Sequence, residues 1–189
     1  MSREIIDSVL SGNKESFREL VTLYKDGAYN LALSILKNDF FAKDAVQQAF
    51  VNAWLNLHTF RQDAPFKHWF HRILINECFT ILKKNPQVHQ KNEPTFEQEP
   101  ENISSDEHFD DFSDTEHLRF HIQAALEKMA PNYSLVLKLF YIESYSIKEI
   151  SAITGWSLSD TKVKLHRARK SMKEYLTNTL KLEPEALYL

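Results

Sequence analysis

Hydrophobic positions in the first 85 residues recur at steps of three and four, the period of a helix that buries one face. The pattern predicts a short helix over residues 3–10 and three longer helices after it. The apolar faces of the longer helices are marked by Leu20, Tyr24, Leu31 and Ile35, then by Ala42, Ala49, Phe50 and Leu57, then by Phe66, Phe70, Leu74 and Ile81. Asn38 is a candidate N-cap for the second of these, and Pro65 suits the first turn of the third. We therefore predict a compact front bundle over residues 1–85.

The same helical period returns after residue 117, in shorter units. Helices are predicted over residues 118–129, 131–140, 147–153 and 158–176. Ser146 is a candidate N-cap for the third of them, and Gly155 ends it before the last helix begins. A short helix, a turn containing glycine and a longer helix form a helix-turn-helix candidate. No segment has the period of a strand, so the predicted fold class is all-α, with two small helical domains at residues 1–85 and 118–180 and a tail at 181–189.

Composition supports a helical protein that stays in the cytoplasm. The 189 residues include only 3 Gly and 6 Pro, the residues on which the turns of sheet-rich folds depend. The single cysteine, Cys78, cannot form an intrachain disulfide, and the first twenty residues lack the apolar core of a signal peptide. No apolar run approaches the ~18 residues that a membrane helix needs. We therefore expect a cytoplasmic location and no direct membrane insertion.

An acidic stretch separates the two predicted domains. Residues 86–117 contain 10 acidic side chains and 1 basic one, whereas the whole chain has a net charge of -3. Because the stretch is also poor in apolar residues, we predict a flexible linker. Two roles remain open for it. The negative charges can compete with DNA for basic surfaces on the two domains, or they can keep a spacer extended by self-repulsion.

Basic side chains are concentrated on the last predicted helix. Six Lys and Arg residues and no acidic residue lie between Lys162 and Lys173, on the face opposite Leu165, Ala168 and Met172. A helix that packs on one side and is cationic on the other can enter a major groove. The alternative is a solvated lysine-rich face. The short helix and turn that precede it favour DNA binding.

Aromatic residues gather where the second long helix gives way to the third. They are Trp54, Phe60, Phe66, Trp69 and Phe70. Rings interleaved with cations bind single-stranded DNA, because bases stack on the rings and phosphates need positive charge. These rings also have the spacing of a helical core, and on pattern alone packing is favoured over base stacking. The polar residues Arg61, Gln62 and Asp63 are therefore the better candidates for contact with a ligand.

Catalytic and metal-binding motifs are not evident. His68 and His71 are three residues apart, but a catalytic zinc normally has three protein ligands and no third is apparent at a fixed spacing. With three glycines there is no glycine-rich phosphate loop. We expect no metal, no cofactor and no enzymatic activity. A metal-dependent hydrolase that uses His68, His71 and one further ligand is the least favoured alternative.

Several motifs in two blocks point to a known family. The front block contains AKDAVQQAF, AFVNAW and DAPFKHWFHRI, and the rear block contains VLKLFY, YSIKEISAITG and KLHRARKSM. In this order, and separated by a variable linker, the blocks resemble an RNA polymerase sigma factor of the extracytoplasmic-function group. The resemblance spans nearly the whole chain. It implies a subunit that directs bacterial RNA polymerase to promoters and assists strand opening.

The resemblance also implies a role for each domain. The front domain would dock on core RNA polymerase through the helix that carries Asp44, Gln47, Gln48 and Val51. It would capture the melted non-template strand of the minus-ten element. The positions implied for that strand are Arg61, Gln62 and Asp63 in the loop at 60–64 and Lys67, Arg72 and Asn76 on the following helix.

The rear domain would bind the duplex minus-thirty-five element. The positions that would enter the groove are Ser159, Lys162, Val163, His166 and Arg167, and the expected phosphate contacts are Lys164, Arg169 and Lys170. Members of the family are commonly held inactive by an anti-sigma factor, so such a partner is expected too. The main alternative is a helix-turn-helix regulator that binds duplex DNA without polymerase.

Overall fold

The structure, a computed structural model, describes residues 2–85 and 114–180. Every regular element in these two ranges is helical, which confirms the all-α fold class. The helices are α1 (Ser2–Leu10), α2 (Ser16–Leu36), α3 (Asp39–Asn56), α4 (Phe66–Lys84), α5 (Asp114–Lys128), α6 (Pro131–Leu137), α7 (Ile147–Thr154) and α8 (Leu158–Leu180). None of them combines the length and hydropathy needed to cross a lipid bilayer. The tail at 181–189 and most of the predicted linker lie outside the described residues.

The front bundle packs α2, α3 and α4 against one another, with α1 against α2. Four alanines on α3 are fully buried, and their small side chains let the neighbouring helices approach closely. Phe50 of α3 stacks on Phe70 of α4 at 4.5 Å between ring centroids. Burying each of these rings contributes about 2 kcal/mol. The predicted cap is present, because the Asn38 side chain accepts a hydrogen bond from the Phe41 N–H at 3.1 Å.

Helices α5 to α8 form a rear module. In it, α5, α6 and α8 pack around Leu135, Leu139 and Leu165. Ser146 caps α7 as predicted and forms a full capping box with Glu149. Gly155 ends α7 in the left-handed conformation, with φ of 75°. The helix predicted over 131–140 is different, because regular α geometry stops at Leu137 and a π-helical turn follows over Lys138–Ile142.

The two modules are packed together, which the sequence pattern did not predict. Helix α2 lies against α6, and α4 lies against α7. One continuous set of buried apolar side chains runs through both modules. Helix α5 begins at Asp114, inside the range predicted as linker.

Candidate nucleic-acid interfaces

A loop over residues 60–65 joins α3 and its terminal 3-10 turn (Leu57–Thr59) to α4. Phe60 is buried there, with ring centroids 5.7 Å from Phe66 and 5.3 Å from Trp69. Phe66 and Phe70 are also buried, so for these rings the packing interpretation is correct. Trp54 is 36% exposed and meets the Phe17 ring edge-on at 5.0 Å. The loop therefore packs against the aromatic cluster through Phe60.

Beside the loop lies a cavity of about 360 Å³. Its walls include Arg3 and Ile6 from α1, Tyr24 from α2, and Gln62 and Asp63 from the loop. Arg61 and Asp63 are exposed, whereas Gln62 is half-buried and has a left-handed backbone with φ of 57°. The structure thus places all three predicted loop residues at or beside one concave surface.

Gln62 is held by the first helix, a contact that the sequence analysis missed. Arg3 Nε donates to Gln62 Oε1 at 3.0 Å, and Arg3 Nη2 donates to the Gln62 carbonyl oxygen at 3.2 Å. Gln62 Nε2 in turn donates to Asp7 Oδ1 at 2.8 Å. No local pattern signals these bonds, because the partners lie more than fifty residues apart in sequence.

The three positions expected to bind DNA on α4 do not share one face. Arg72 and Asn76 are exposed. Lys67 lies about 140° around the helix from Arg72, at 100° per residue, and its ammonium forms an ion pair with Glu143 of the rear module. Glu143 Oε2 is buried, and its interaction with Lys67 is electrostatic, without the geometry of a hydrogen bond. Lys67 is therefore part of the contact between the modules in this arrangement.

An exposed stripe runs along α3. It contains Asp44, Gln47, Gln48 and Val51, the four positions that the resemblance implies for polymerase binding. Phe40, 73% exposed, and Leu55, 61% exposed, lie on the same stripe at helical spacing. Sequence reasoning missed these two, although both are large apolar residues that lie off the buried face of the helix. Large apolar side chains exposed on one face are typical of a protein-binding surface.

Helix α8 presents most of its predicted DNA contacts outward. The exposed members are Ser159, Lys162, Val163, His166, Arg167 and Lys170. Leu165, Ala168 and Met172 are buried on the other side. Ser157 caps the helix by accepting a hydrogen bond from the Asp160 N–H at 3.1 Å. A capped N-terminus and a long exposed face are the layout expected of a recognition helix.

Two of the expected phosphate contacts on α8 are engaged within the rear module. Lys164 pairs with Asp160, and its ammonium lies 4.9 Å from the centre of the Trp156 ring. Arg169 donates from Nε to the Tyr141 hydroxyl at 2.8 Å and lies 5.1 Å from the Phe140 ring centre. Both side chains are half-buried, in contrast to Arg167.

Polar contacts join α4 to the segment that leads into α7. The Tyr145 hydroxyl and His71 Nδ1 are 3.0 Å apart in a buried hydrogen bond. Burial lowers the pKa of His71 to about 4 and raises the pKa of Tyr145. His68 Nδ1 lies 3.6 Å from Glu149, and its ring packs edge-on against Tyr145. Among the described side chains, no three His, Cys, Asp or Glu residues converge as metal ligands.

A second, larger cavity of about 860 Å³ lies between the modules. Helix α2 forms one wall, and α5, α6 and the π-helical turn form the other. The Lys37 ammonium crosses the interface and donates to the Leu126 carbonyl oxygen. Burial lowers the pKa of Lys37 to about 8, and burial also lowers the pKa of Lys138 nearby.

Two family models match the chain, one on each module. The model described as sigma-70 region 2 matches residues 20–86, and the model described as sigma-70 region 4 matches residues 119–172. The first match includes the exposed stripe on α3, the loop and α4. The second includes the helix-turn-helix unit and most of α8. Together they cover more than half of the chain.

Relatives and solved structures agree with these matches. The RNA polymerase sigma factor SigV of Bacillus subtilis is 29% identical over 157 residues, which are 83% of this chain and 89% of SigV. The ECF RNA polymerase sigma factor SigW of the same organism is 28% identical over 181 residues, 93% of this chain and 97% of SigW. The sigma factor RpoE of Bartonella quintana, solved with the anti-sigma factor NepR, shares the fold with a TM-score of 0.63 at 21% identity, covering 86% of this chain and 98% of RpoE. This chain belongs to the extracytoplasmic-function (ECF) group of the sigma-70 family of RNA polymerase sigma factors.

Proposed function

We propose that this chain divides promoter recognition between a front domain at residues 1–85 and a rear domain at 118–180, joined by a linker at 86–117. As an ECF sigma factor, it is a promoter-specificity subunit that directs RNA polymerase to promoters for initiation. It acts by binding, carries out no catalysis of its own, and works in the cytoplasm. One observation carries the assignment: a region 2 match and a region 4 match follow one another on two packed helical modules.

The rear domain binds the duplex minus-thirty-five element through α8. Val163 and Arg167 are exposed in its leading half, where a recognition helix meets base edges. Lys162 is exposed beside them on the groove face, and exposed Lys170 suits phosphate oxygens. Lys164 and Arg169 reach phosphates only by exchanging their contacts with Asp160 and Tyr141. We therefore rank these two below the exposed cations.

The front domain binds the melted minus-ten strand at the loop and its cavity. Taking a base out of its stack costs a few kcal/mol, which binding of that base in a pocket can offset. The cavity of about 360 Å³ is bordered by polar side chains and by Phe60 and Phe66. Exposed Arg61 and Arg72 supply positive charge for the backbone of the strand. This combination supports capture of the melted strand without nucleotide hydrolysis.

Core RNA polymerase docks on the exposed stripe of α3. Phe40, Val51 and Leu55 supply apolar area there, and Asp44 and Gln47 supply polar contacts. An interface of this kind combines an apolar centre with a polar rim. The family assignment supplies the partner, and the exposed apolar residues support the location.

An anti-sigma factor is the partner that holds the chain inactive. The structurally similar RpoE was solved in complex with the anti-sigma factor NepR. The cavity of about 860 Å³ between α2 and the rear module offers a place for such a protein to bind and fix the modules relative to each other.

Transcription with purified components tests the proposal. Core polymerase is combined with this chain on genomic fragments, and run-off products are measured with no inhibitor present. A sigma factor associates with core polymerase and gives defined start sites. A helix-turn-helix regulator, the alternative, binds duplex DNA unaided and gives none. Failure to associate with core polymerase contradicts the proposal.

A further inference from the structure

Helix α1 contacts the loop that we assign to the melted strand, although it precedes the region 2 match at residues 20–86. The helix is fixed to the bundle by Ile6 and Val9, which are buried in the core. From that position Arg3 and Asp7 both reach Gln62. This contact comes from a part of the chain that the family model does not describe.

The two α1 side chains determine the orientation of the Gln62 amide. Its oxygen meets the Arg3 guanidinium, which can only donate, and its nitrogen meets the Asp7 carboxylate, which accepts. If the amide turned over, a donor would face a donor and an acceptor would face an acceptor. Arg3 and Asp7 thus favour one orientation of the amide over the other.

Arg3 also fixes the backbone of the loop. Its Nη2 donates to the Gln62 carbonyl oxygen, at the residue whose φ of 57° lies in the left-handed region. A left-handed conformation costs a non-glycine residue roughly 1 kcal/mol or more, and it persists where surrounding contacts determine it. The wall of the cavity formed by Gln62 therefore depends on α1.

We propose that Arg3 and Asp7 are positioning residues for minus-ten recognition. They hold the Gln62 amide in one orientation beside the cavity and thereby set which unstacked base the loop accepts. An amide with a fixed donor and a fixed acceptor discriminates among bases, whereas a freely rotating amide pairs with several. This inference rests on the proposed function, since it assumes that the loop binds the melted strand.

The test uses holoenzyme formed from core polymerase and the full chain. Binding is measured to partly melted promoter DNA in which each minus-ten position of the non-template strand carries each of the four bases. For Arg3→Ala and for Asp7→Ala, we expect the preference for the best base to fall about tenfold at one position and to persist at the others. Arg18→Ala is the matched control. Arg18 is an exposed arginine of α2 paired with Glu15, and its loss should leave every preference unchanged.

A double variant separates a positioning role from general weakening. Asp7 contacts the Gln62 side chain, so in a Gln62→Ala background Asp7→Ala should change base preference no further. If the wild type shows a base preference and both α1 variants keep it unchanged, the inference is wrong and the proposed function still stands. Wild-type holoenzyme with no base preference in the melted strand would overturn the proposed function, and the inference with it.

Discussion

Arg167 and Arg169 are two residues apart on α8 but occupy different environments. Arg167 is exposed, whereas Arg169 is half-buried between Tyr141 and Phe140. We expect Arg167→Ala to weaken binding to minus-thirty-five duplex by about 1–3 kcal/mol, because a groove contact is lost. Its melting temperature should stay close to that of the wild type. Holoenzyme titrations with fluorescent duplex and thermal unfolding measure the two quantities.

Arg169→Ala is the matched comparison, since it removes the same group from the same helix. It breaks a hydrogen bond and two cation–π contacts, and we expect the free energy of unfolding to fall by about 1 kcal/mol. Duplex affinity should change less than in Arg167→Ala. The reverse ranking of the two affinities would show that our assignment of groove and structural arginines is wrong.

His71 makes stability depend on pH. Burial holds its pKa at about 4 in the folded chain, against an ordinary value of 6.5. Between these values the unfolded chain binds more protons, so the free energy of unfolding falls as pH is lowered through this window. Burial is the largest cause; nearby Glu143 opposes it by raising the pKa, while Lys67 and His68 lower the pKa further. The loss that His71 contributes between pH 7 and pH 4.5 is expected to be about 2 kcal/mol.

Denaturant unfolding at the two pH values measures this loss. His71→Gln retains a hydrogen-bonding partner for Tyr145 but cannot take up a proton, so its pH dependence should be weaker than that of the wild type by about that amount. His58→Gln, at an exposed histidine of the 3-10 turn, should behave as the wild type. Equal pH dependence in the wild type and His71→Gln would contradict a buried neutral imidazole.

At the residue scale, sequence periodicity was enough to predict which side chains face outward. The positions of Lys162, Val163 and Arg167 follow from the apolar residues on the other side of α8. It was not enough for Arg169 or Lys67, because their partners come from other elements. Periodicity reports the face on which a residue lies, and it does not report which element covers that face.

Helix α7 depends on its first turn, which the sequence did predict. Ser146 accepts a hydrogen bond from the Glu149 N–H, and the Glu149 carboxylate accepts one from the Ser146 N–H at 2.8 Å. We expect Ser146→Ala to lower the free energy of unfolding by about 1 kcal/mol, because an N-terminal donor of an eight-residue helix loses its acceptor. Ser171→Ala, inside α8, is the control and should be neutral or slightly stabilising, as alanine has the higher helix propensity. Equal losses in the two variants would argue against the cap.

The π-helical turn after α6 shows where local rules stop. Residues 136–141, VLKLFY, have ordinary helical spacing, yet the Glu143 N–H donates to the Lys138 carbonyl oxygen five residues back, at 2.9 Å. The Tyr145 N–H then donates to the Leu139 carbonyl oxygen at 2.9 Å, and the Tyr145 hydroxyl meets His71. The same segment therefore ends a helix and contacts the other module. The π-helical geometry is accompanied by contacts with the other module, so the residues of the segment alone do not indicate it.

For the whole molecule, the packed arrangement engages one expected DNA contact in an ion pair between the modules. Lys67 is paired with Glu143, whose side chain is 13% exposed, so the Lys67 charge is neutralised while the modules remain together. The sequence suggested two separate domains because each module has its own helical period and an acidic stretch lies between them. The pattern could not reveal the contact, since His71, Tyr145 and Glu143 are residue types that occur equally well at a surface.

Weakening the contact between Lys67 and Glu143 should favour separation of the modules. Glu143→Gln preserves the shape of the side chain and removes its charge. We expect the isolated chain to bind single-stranded minus-ten DNA about fivefold more tightly, which corresponds to about 1 kcal/mol for a partly exposed ion pair. Glu174→Gln is the matched control, because it removes one charge from the rear module at the exposed Lys170 pair on α8. Any gain that both variants share is due to net charge, so only the excess in Glu143→Gln counts.

Charge exchange provides the complementary measurement. Lys67→Glu places two carboxylates together and Glu143→Lys places two ammonium groups together, so each alone should lower the melting temperature. The double variant restores an opposite pair with its polarity reversed and should recover most of the loss, with a coupling free energy of about 1 kcal/mol. If the two single losses simply add in the double variant, Lys67 and Glu143 are not coupled in solution. In that case Lys67 meets DNA without first leaving its carboxylate.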